Sequence, residues 1–202
     1  CALPILGIEA FMARTGMQTL IDTVRGYADA APDEWEVTSD SSIVTYWDDE
    51  EIQRVLDRHK VEYIHAILDA QPTYESGTPV YKQYLLNATN IESGTAVFKI
   101  EDTSGTVSGY TVDYARGIAT FTTDQSGKSY YWSGFAYDLD AAAADIWRMK
   151  ASHVAGLVDF STDGHSIKRS QQAQQYLQMA NYYQQRSASE GVTMAKIVRD
   201  DL

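Results

Sequence analysis

The hydrophobic pattern of this chain changes its period near residue 80 and changes back near residue 137. On either side of this stretch, apolar residues recur at helical spacing; within it, β-branched and aromatic residues form short alternating runs between turn residues. An amphipathic helix and a half-buried strand need different periods, so a single type of element cannot account for the whole chain. The sequence therefore predicts an α+β protein.

Two helices are predicted before the change of period. The first has an apolar stripe and a capping pair formed by Thr15 and Gln18. The second begins at Asp48 as N-cap, with Trp47 placed to pack on Ile52, and its stripe continues to Asp69 before Pro72. The two stripes are Met17, Leu20, Ile21, Val24 and Tyr27, and Ile52, Val55, Leu56, His59, Tyr63, Ala66 and Ile67. Residues 30–45, which are acidic and rich in serine, are predicted to form a long loop between the helices.

Two further helices are predicted after the change of period. The third begins at Asp138 and ends near Asp159, and the fourth begins near Ser166 after a reversal at residues 160–165. Five strands lie between the helix pairs, at residues 80–86, 96–101, 108–114, 118–122 and 130–136. Turn residues link several of them over hairpin distances, which favours an antiparallel meander.

The predicted architecture is a helical bundle of about four helices with a small antiparallel β unit inserted between helices two and three. The helical core consists of residues 1–70 and 138–190, and the β insert of residues 71–137. Residues 191–202 follow as a C-terminal arm. Each helix has one apolar stripe that must be buried, which is why the helices on both sides of the insert are expected to pack together.

Composition restricts the classes of function. The 202 residues have a net charge of -12, which argues against a protein that holds nucleic acid through phosphate contacts. No run reaches the roughly 18–20 apolar residues of a membrane-spanning helix. The single thiol, Cys1, excludes an internal disulfide framework and favours a reducing, intracellular setting. A chain that begins with cysteine also fits a mature lipoprotein, although a removed start is the simpler interpretation.

The residues that usually perform catalysis do not form a recognisable motif. His59 and His65 lie six residues apart, whereas a helical zinc site uses histidines four apart. Residues 48–51 are four acids, but acids in the first turn of a helix are favoured without any metal. We therefore expect no enzyme, no cofactor and no metal site. A hydrolase with a dispersed site, using His153 or His165 beside a carboxylate, is the alternative.

Five sequence blocks, in order along the chain, are similar to those of a known family. They are residues 45–53 (TYWDDEEIQ) with 56–59 (LDRH), 69–74 (DAQPTY), 109–114 (GYTVDY), 136–139 (AYDL) leading through alanines into 145–147 (DIW), and 158–161 (VDFS) with 163–164 and 169–171. With these blocks the chain resembles the head-tail adaptor, or connector, proteins of tailed bacteriophages over nearly its whole length.

The resemblance implies a structural virion protein. Such a protein forms a ring, expected to be a dodecamer, beneath the portal protein in the neck between head and tail. It joins the capsid to a downstream tail or head-closure protein and lines the channel through which DNA leaves, without binding nucleic acid specifically. The resemblance also implies that the protein is assembled in the bacterial cytoplasm and has no membrane partner. This sequence differs from many relatives in residues 1–14 and in the acidic stretch 30–45.

Two sets of residues are candidates for contacts in such an assembly. A ring needs two different complementary faces on each subunit, and glutamines on helix four are candidates for one of them, although a solvated face explains them equally well. The C-terminal arm is short, apolar and basic, so it either docks on the portal or is a frayed tail. The ring candidates are Gln171, Gln174, Gln175 and Gln178, and the portal candidates are Val192, Met194, Ile197, Val198 and Arg199.

A binding module is the alternative function. In this interpretation the β insert recognises a receptor or a carbohydrate through its aromatic residues. The side chains concerned are Tyr110, Tyr130, Tyr131 and Trp132. Aromatics in alternating strands also serve as core residues, so their burial separates the two interpretations.

Overall fold

The computed structural model describes residues 13–31, 36–39, 42–45, 47–155, 160–162, 165–167 and 169–190, which contain four helices and twelve strands. The helices are α1 (Gln18–Ala28), α2 (Asp49–Arg58), α3 (Leu139–Ala155) and α4 (Arg169–Glu190). The strands are β1 (Glu36–Ser39), β2 (Ser42–Thr45), β3 (Lys60–Ile67), β4 (Asp69–Glu75), β5 (Thr78–Leu85), β6 (Lys99–Asp102), β7 (Gly105–Thr106), β8 (Tyr110–Asp113), β9 (Ile118–Phe121), β10 (Tyr131–Tyr137), β11 (Phe160–Thr162) and β12 (His165–Ile167).

Two four-stranded antiparallel sheets form the strand-rich middle of the chain. Their strand orders are β3-β10-β6-β7 and β4-β5-β9-β8, while β1–β2 and β11–β12 are separate two-stranded hairpins. Only one residue, Leu68, separates β3 from β4. Each of these two strands lies at the end of its sheet, so each has one side that no other described strand pairs.

The predicted helical bundle with a small β insert is wrong. The protein is α+β, but two sheets of four strands each make up much of it. The error begins in the second helix, which ends at Arg58 instead of Asp69. The residues that follow form β3 and β4, and Pro72 lies in β4 beside a break in its pairing with β5.

Pairing with β10 explains why residues 60–67 are a strand. The sequence alone does not show this, because Tyr63 and Ala66 are three residues apart, which is helical spacing, and share one face of the strand only through a register shift with β10 between them. In the structure Tyr63 stacks on Trp132 with ring centroids 4.6 Å apart, and Ala66 lies opposite Trp132 in the ladder. Tertiary packing of this kind outweighs local propensity.

Most of the predicted strands are confirmed, but their order is not. The strands β5, β6, β8, β9 and β10 lie within a few residues of the predicted positions and pair antiparallel. The meander is wrong because β10 lies between β3 and β6. The predicted loop at 30–45 contains the hairpin β1–β2, the reversal near 160–165 is the hairpin β11–β12, and α4 begins at Arg169.

The sheets share one apolar core. Its largest member, Trp132, is fully buried and donates an indole hydrogen bond to the Leu86 carbonyl oxygen at 3.0 Å. A buried indole N–H needs such a partner, and this one ties β10 to the end of β5. The buried core consists of Leu68, Tyr84, Leu86, Ile91, Phe98, Ile100, Ala119, Phe121, Tyr130, Trp132 and Ala136.

The first two helices pack against each other, and most residues of the predicted stripes that lie within them are buried: Leu20, Ile21, Val24, Ile52, Val55 and Leu56. On α2 the Asp48 carboxylate accepts a 2.7 Å hydrogen bond from the Glu51 backbone N–H, which confirms the predicted N-cap. Trp47 and Ile52 are both fully buried. The capping pair predicted for α1 is wrong, because its N-cap is Met17 and no side chain caps this helix.

Contacts divide the chain into two units between Leu139 and Asp140. The second unit contains most of α3, the hairpin β11–β12 and α4. Its helices meet where the Trp147 and Tyr176 rings lie 5.3 Å apart, with the Lys150 ammonium 4.9 Å from the Trp147 ring centre. None of the helices in the described residues has an apolar stretch long enough to cross a bilayer.

Candidate functional site

The described residues of the first unit contain a connected polar group, the Arg14 cluster, formed by Arg14, Asp57, Glu92 and Tyr137. The two terminal nitrogens of the Arg14 guanidinium donate to the Asp57 carboxylate at 2.7 and 2.9 Å, and its Nε donates to Glu92 at 3.1 Å. One of the terminal nitrogens also donates to the Tyr137 hydroxyl at 3.0 Å. That hydroxyl donates to Glu92 at 2.6 Å. Arg14, Glu92 and Tyr137 therefore each have at least two partners within the cluster, and Asp57 is held by both terminal nitrogens of Arg14.

Four separate segments supply the Arg14 cluster. Arg14 precedes α1 and is anchored by its backbone N–H, which donates to the Gln53 side chain at 2.7 Å. Asp57 lies in the last turn of α2, and Tyr137 is the last residue of β10. Glu92 lies in the connection after β5, where its backbone N–H donates to the Phe135 carbonyl oxygen at 2.9 Å. The cluster thus joins the start of α1, the end of α2 and the sheet.

The electrostatics of the cluster favour the protonated forms of Arg14 and Tyr137. Hydrogen bonding to Asp57 raises the pKa of Arg14 further above its usual value, despite the opposing effect of burial. Burial raises the pKa of Tyr137 well above that of a free phenol, and Glu92 adds to this increase. Arg14 and Tyr137 therefore both keep their protons at neutral pH and act as hydrogen-bond donors to the carboxylates. The cluster is a set of charge-assisted hydrogen bonds that holds these segments together.

A close backbone contact beside the cluster fixes the start of α1. Gly16 has φ of +104°, and a β-carbon built on it would lie 1.9 Å from the Ser93 carbonyl oxygen. The Gly16 carbonyl oxygen in turn accepts a hydrogen bond from the Ser93 backbone N–H at 3.4 Å and from its hydroxyl at 3.2 Å. Only glycine fits this conformation and this distance.

A shallow open depression of about 400 Å³ lies beside the end of α1. It is lined by Asp22, Arg25, Gly26, Asp29, Ala30 and Ala31. The Arg25 guanidinium already donates to Asp49 at 2.7 Å and to the Trp47 carbonyl oxygen at 3.2 Å. Its positive charge is therefore engaged within the protein and is not directed at a ligand.

Three of the large apolar side chains that are exposed in the described part of the chain lie on β3. Val61, Ile64 and Ile67 are 50%, 72% and 53% exposed, and Tyr74 on β4 is 73% exposed. Large apolar side chains this exposed, on strands with an unpaired side, are typical of a surface that contacts another chain. Sequence reasoning missed this surface because it placed residues 60–67 in the second helix, where Ile67 belonged to the apolar stripe and Val61 and Ile64 lay outside it.

The structure describes only some of the predicted contact residues. The four ring candidates, Gln171, Gln174, Gln175 and Gln178, are all exposed on α4. Leu177, Met179 and Tyr182 of the same helix are also exposed, at 48%, 37% and 52%. The portal candidates lie outside the described residues; they are Val192, Met194, Ile197, Val198 and Arg199.

Two of the four aromatic residues proposed for glycan binding are core residues. Trp132 is fully buried and Tyr130 is 2% exposed. The Tyr130 hydroxyl donates a hydrogen bond to the Gln125 side-chain oxygen at 2.7 Å. Tyr110 and Tyr131 are half-buried. A flat aromatic platform for a sugar ring would need these side chains to be accessible together.

Within the described part of the chain, histidine, cysteine and acidic residues form no group that would hold a metal ion. His65 lies on β3, 3.6 Å from a Glu101 carboxylate oxygen, and far in sequence from His153. Comparison of the chain with family models, with curated proteins and with solved structures finds no match.

Proposed function

We propose that the protein is a head-tail adaptor of a tailed bacteriophage, a structural subunit of the virion neck that binds the portal and a downstream tail or head-closure protein. The proposal starts from the five sequence blocks that resemble this family. Four of them lie on described elements: α2, β4, β8, and the passage from β10 into α3.

Contacts between two of these blocks carry the proposal. The Asp138 backbone N–H donates to the His59 carbonyl oxygen at 3.2 Å, so the block at 56–59 touches the block at 136–139. The same two blocks supply Asp57 and Tyr137 to the Arg14 cluster. Residues in the blocks that resemble the family thus hold the fold together, as is expected of a structural subunit of the virion.

The charge of the chain supports passage of DNA without retention. With a net charge of -12, a ring of these subunits presents a strongly negative surface. Like-charge repulsion suppresses the phosphate contacts that would hold DNA in place. We expect no duplex binding at physiological salt; submicromolar, salt-sensitive binding would contradict the channel role.

The contacts proposed within the neck are separable by experiment. Gln171, Gln174, Gln175 and Gln178 are proposed to contact the neighbouring subunit, and the C-terminal arm 191–202 to contact the portal. Deletion of residues 191–202 is expected to abolish binding to the portal protein encoded by the same genome while leaving the far-ultraviolet circular dichroism of the folded region unchanged. Undiminished binding by the truncated chain would place the portal contact elsewhere.

Native mass measurement of the full chain, alone and with that portal protein, tests the function itself. A closed ring, expected to contain twelve copies, supports an adaptor. A chain that stays monomeric alone and also with the portal protein would contradict it.

A further inference from the structure

The β4–β5 hairpin projects beyond the sheet to which it belongs. β9 pairs with β5 only at residues 83–85, so no other strand of the described residues lies beside the far end of the hairpin. Residues 72–79, here called the hairpin arm, are all exposed. Two hydrogen bonds to the neighbouring residues of β5 fix the conformation of the arm. The Thr73 hydroxyl donates to the Val80 carbonyl oxygen at 3.1 Å, and the Lys82 ammonium donates to the Glu75 carboxylate at 3.0 Å.

β3 presents a second unpaired edge in the same unit, and its charge is unusual for this protein. Residues 60–67 contain one base, Lys60, and one acid, Glu62, in a chain whose net charge is -12. Two copies of so acidic a protein repel each other over most of their surfaces. A strand with no net charge and with exposed Val61, Ile64 and Ile67 offers a second copy an apolar surface with little charge repulsion.

Bulges limit which parts of the two edges fit together. His65 has φ of +51°, and the pairing of β3 with β10 shifts register between Tyr63 and Ala66. On β4 the register shifts between Gln71 and Pro72, and Pro72 has no N–H to donate. The regular stretches with a free side are therefore residues 60–63 on β3 and residues 73–75 on β4.

One antiparallel register matches both charge and shape across these stretches. It places Lys60 opposite Glu75, Val61 opposite Tyr74 and Glu62 opposite Thr73. Lys60 now lies 4.4 Å above the Phe135 ring, and Glu75 is paired with Lys82 on the exposed arm, so both charges are at the surface. Opposite charges and an aromatic residue facing a β-branched one are both favourable cross-strand pairs.

We infer that the hairpin arm of one copy adds to the β3 edge of the next copy, in a head-to-tail contact between identical chains. The two surfaces differ, so the contact is heterologous. An open assembly of several copies therefore has a free arm at one end and a free β3 edge at the other. Closure into a ring, which uses up both ends, rests on the proposed adaptor function; the strand contact itself does not.

Exchange of charges across the contact tests the inference with the full chain. Sedimentation velocity and native mass measurement compare the wild type with Lys60→Glu, Glu75→Lys and the double variant. Either single variant is expected to weaken association by at least about tenfold, because two like charges then face each other. The double variant restores an opposite pair in every contact and is expected to associate like the wild type. Arg116→Glu, in the exposed turn between β8 and β9, is the matched control for a charge reversal elsewhere.

Each outcome decides the inference. Single variants that associate like the wild type, or a double variant that fails to recover while remaining folded by circular dichroism, would overturn the strand contact even if the wild type forms rings. A wild type that never self-associates overturns it as well. Open chains that follow the predicted pattern of variants would support the strand contact and count against the ring.

Discussion

The buried Glu92 carboxylate accepts a hydrogen bond of 2.6 Å from the Tyr137 hydroxyl. Glu92 is 1% exposed and Tyr137 is 3% exposed, so water does not replace either partner. A carboxylate buried to this extent must be hydrogen-bonded and paired, and Arg14 supplies the charge. The pair marks where the start of α1 is joined to the sheet.

Tyr137→Phe removes one donor to Glu92 and leaves the Arg14 pair in place. The variant is expected to lose about 1–3 kcal/mol of stability, since a buried carboxylate oxygen loses a hydrogen bond. Urea unfolding measures the change, with Tyr131→Phe on the half-buried face of the same strand as control. Equal midpoints for Tyr137→Phe and the wild type would show that the Arg14 cluster does not stabilise the fold.

Gly16→Ala is expected to lower the free energy of unfolding by at least about 2 kcal/mol, because alanine is strained at positive φ and its β-carbon meets the Ser93 carbonyl oxygen. Gly26→Ala is the matched control. Gly26 lies inside α1 with no atom within 4 Å of an added β-carbon, so this change is expected to raise stability by about 0.5–1 kcal/mol. The same sign for both variants in thermal or urea unfolding would refute the close contact at Gly16.

Tyr84→Phe is expected to leave stability at neutral pH unchanged or higher by up to about 1 kcal/mol. The Tyr84 hydroxyl is buried with no hydrogen-bond partner among the described residues, so its removal costs the folded protein little stability. Urea unfolding at pH 7 checks this. A loss above about 1 kcal/mol would mean that the hydroxyl has a partner in the folded protein.

The same tyrosine predicts how stability depends on alkaline pH. Burial, and then the nearby Tyr130 and Asp124, raise the pKa of Tyr84 from 10.0 to about 12. The unfolded chain loses this proton near pH 10 while the folded protein retains it, so stability falls as pH rises from about 10 to 12. Unfolding experiments over this range are expected to show a smaller fall for Tyr84→Phe. An unchanged slope would contradict the raised pKa.

Leu56→Ala is expected to cost about 2–5 kcal/mol, because the side chain on α2 is fully buried and its removal leaves a cavity. Leu177→Ala on α4 is the same substitution at a side chain that is 48% exposed, and it is expected to change stability by about 0.5 kcal/mol or less. Calorimetry of both variants gives the comparison. Similarly small changes in stability for both variants would contradict the placement of Leu56 in the core.

Local features of the fold were predictable from the sequence, and features set by distant pairing were not. The Asp48 cap depends on residues three apart, so its signature is visible in the sequence. Tyr63 and Ala66 have the spacing of a helix, and only their contact with Trp132, far along the chain and across a register shift, places both on one face of a strand. The conversion of residues 60–67 into a strand follows from that contact.

The Arg14 cluster was missed for the same physical reason. Arg14 and Tyr137 are separated by 123 positions, and no spacing rule links an arginine in a loop to the last residue of a strand. The exposed glutamines of α4 were predictable because a helical face follows from a period of 3.6 residues. Whether such a face is solvated or covered depends on other chains, which no pattern within one chain encodes.

The single residue between β3 and β4 has a mechanical consequence. Leu68 is 4% exposed, and its backbone N–H donates to the Tyr130 carbonyl oxygen at 2.9 Å, so this connection is anchored in the core. A tensile load applied along β3 therefore reaches β4 through one short, inextensible length of main chain, without a loop to absorb it. A force applied to one edge strand thus passes to the other edge strand directly along the main chain and not through the helices.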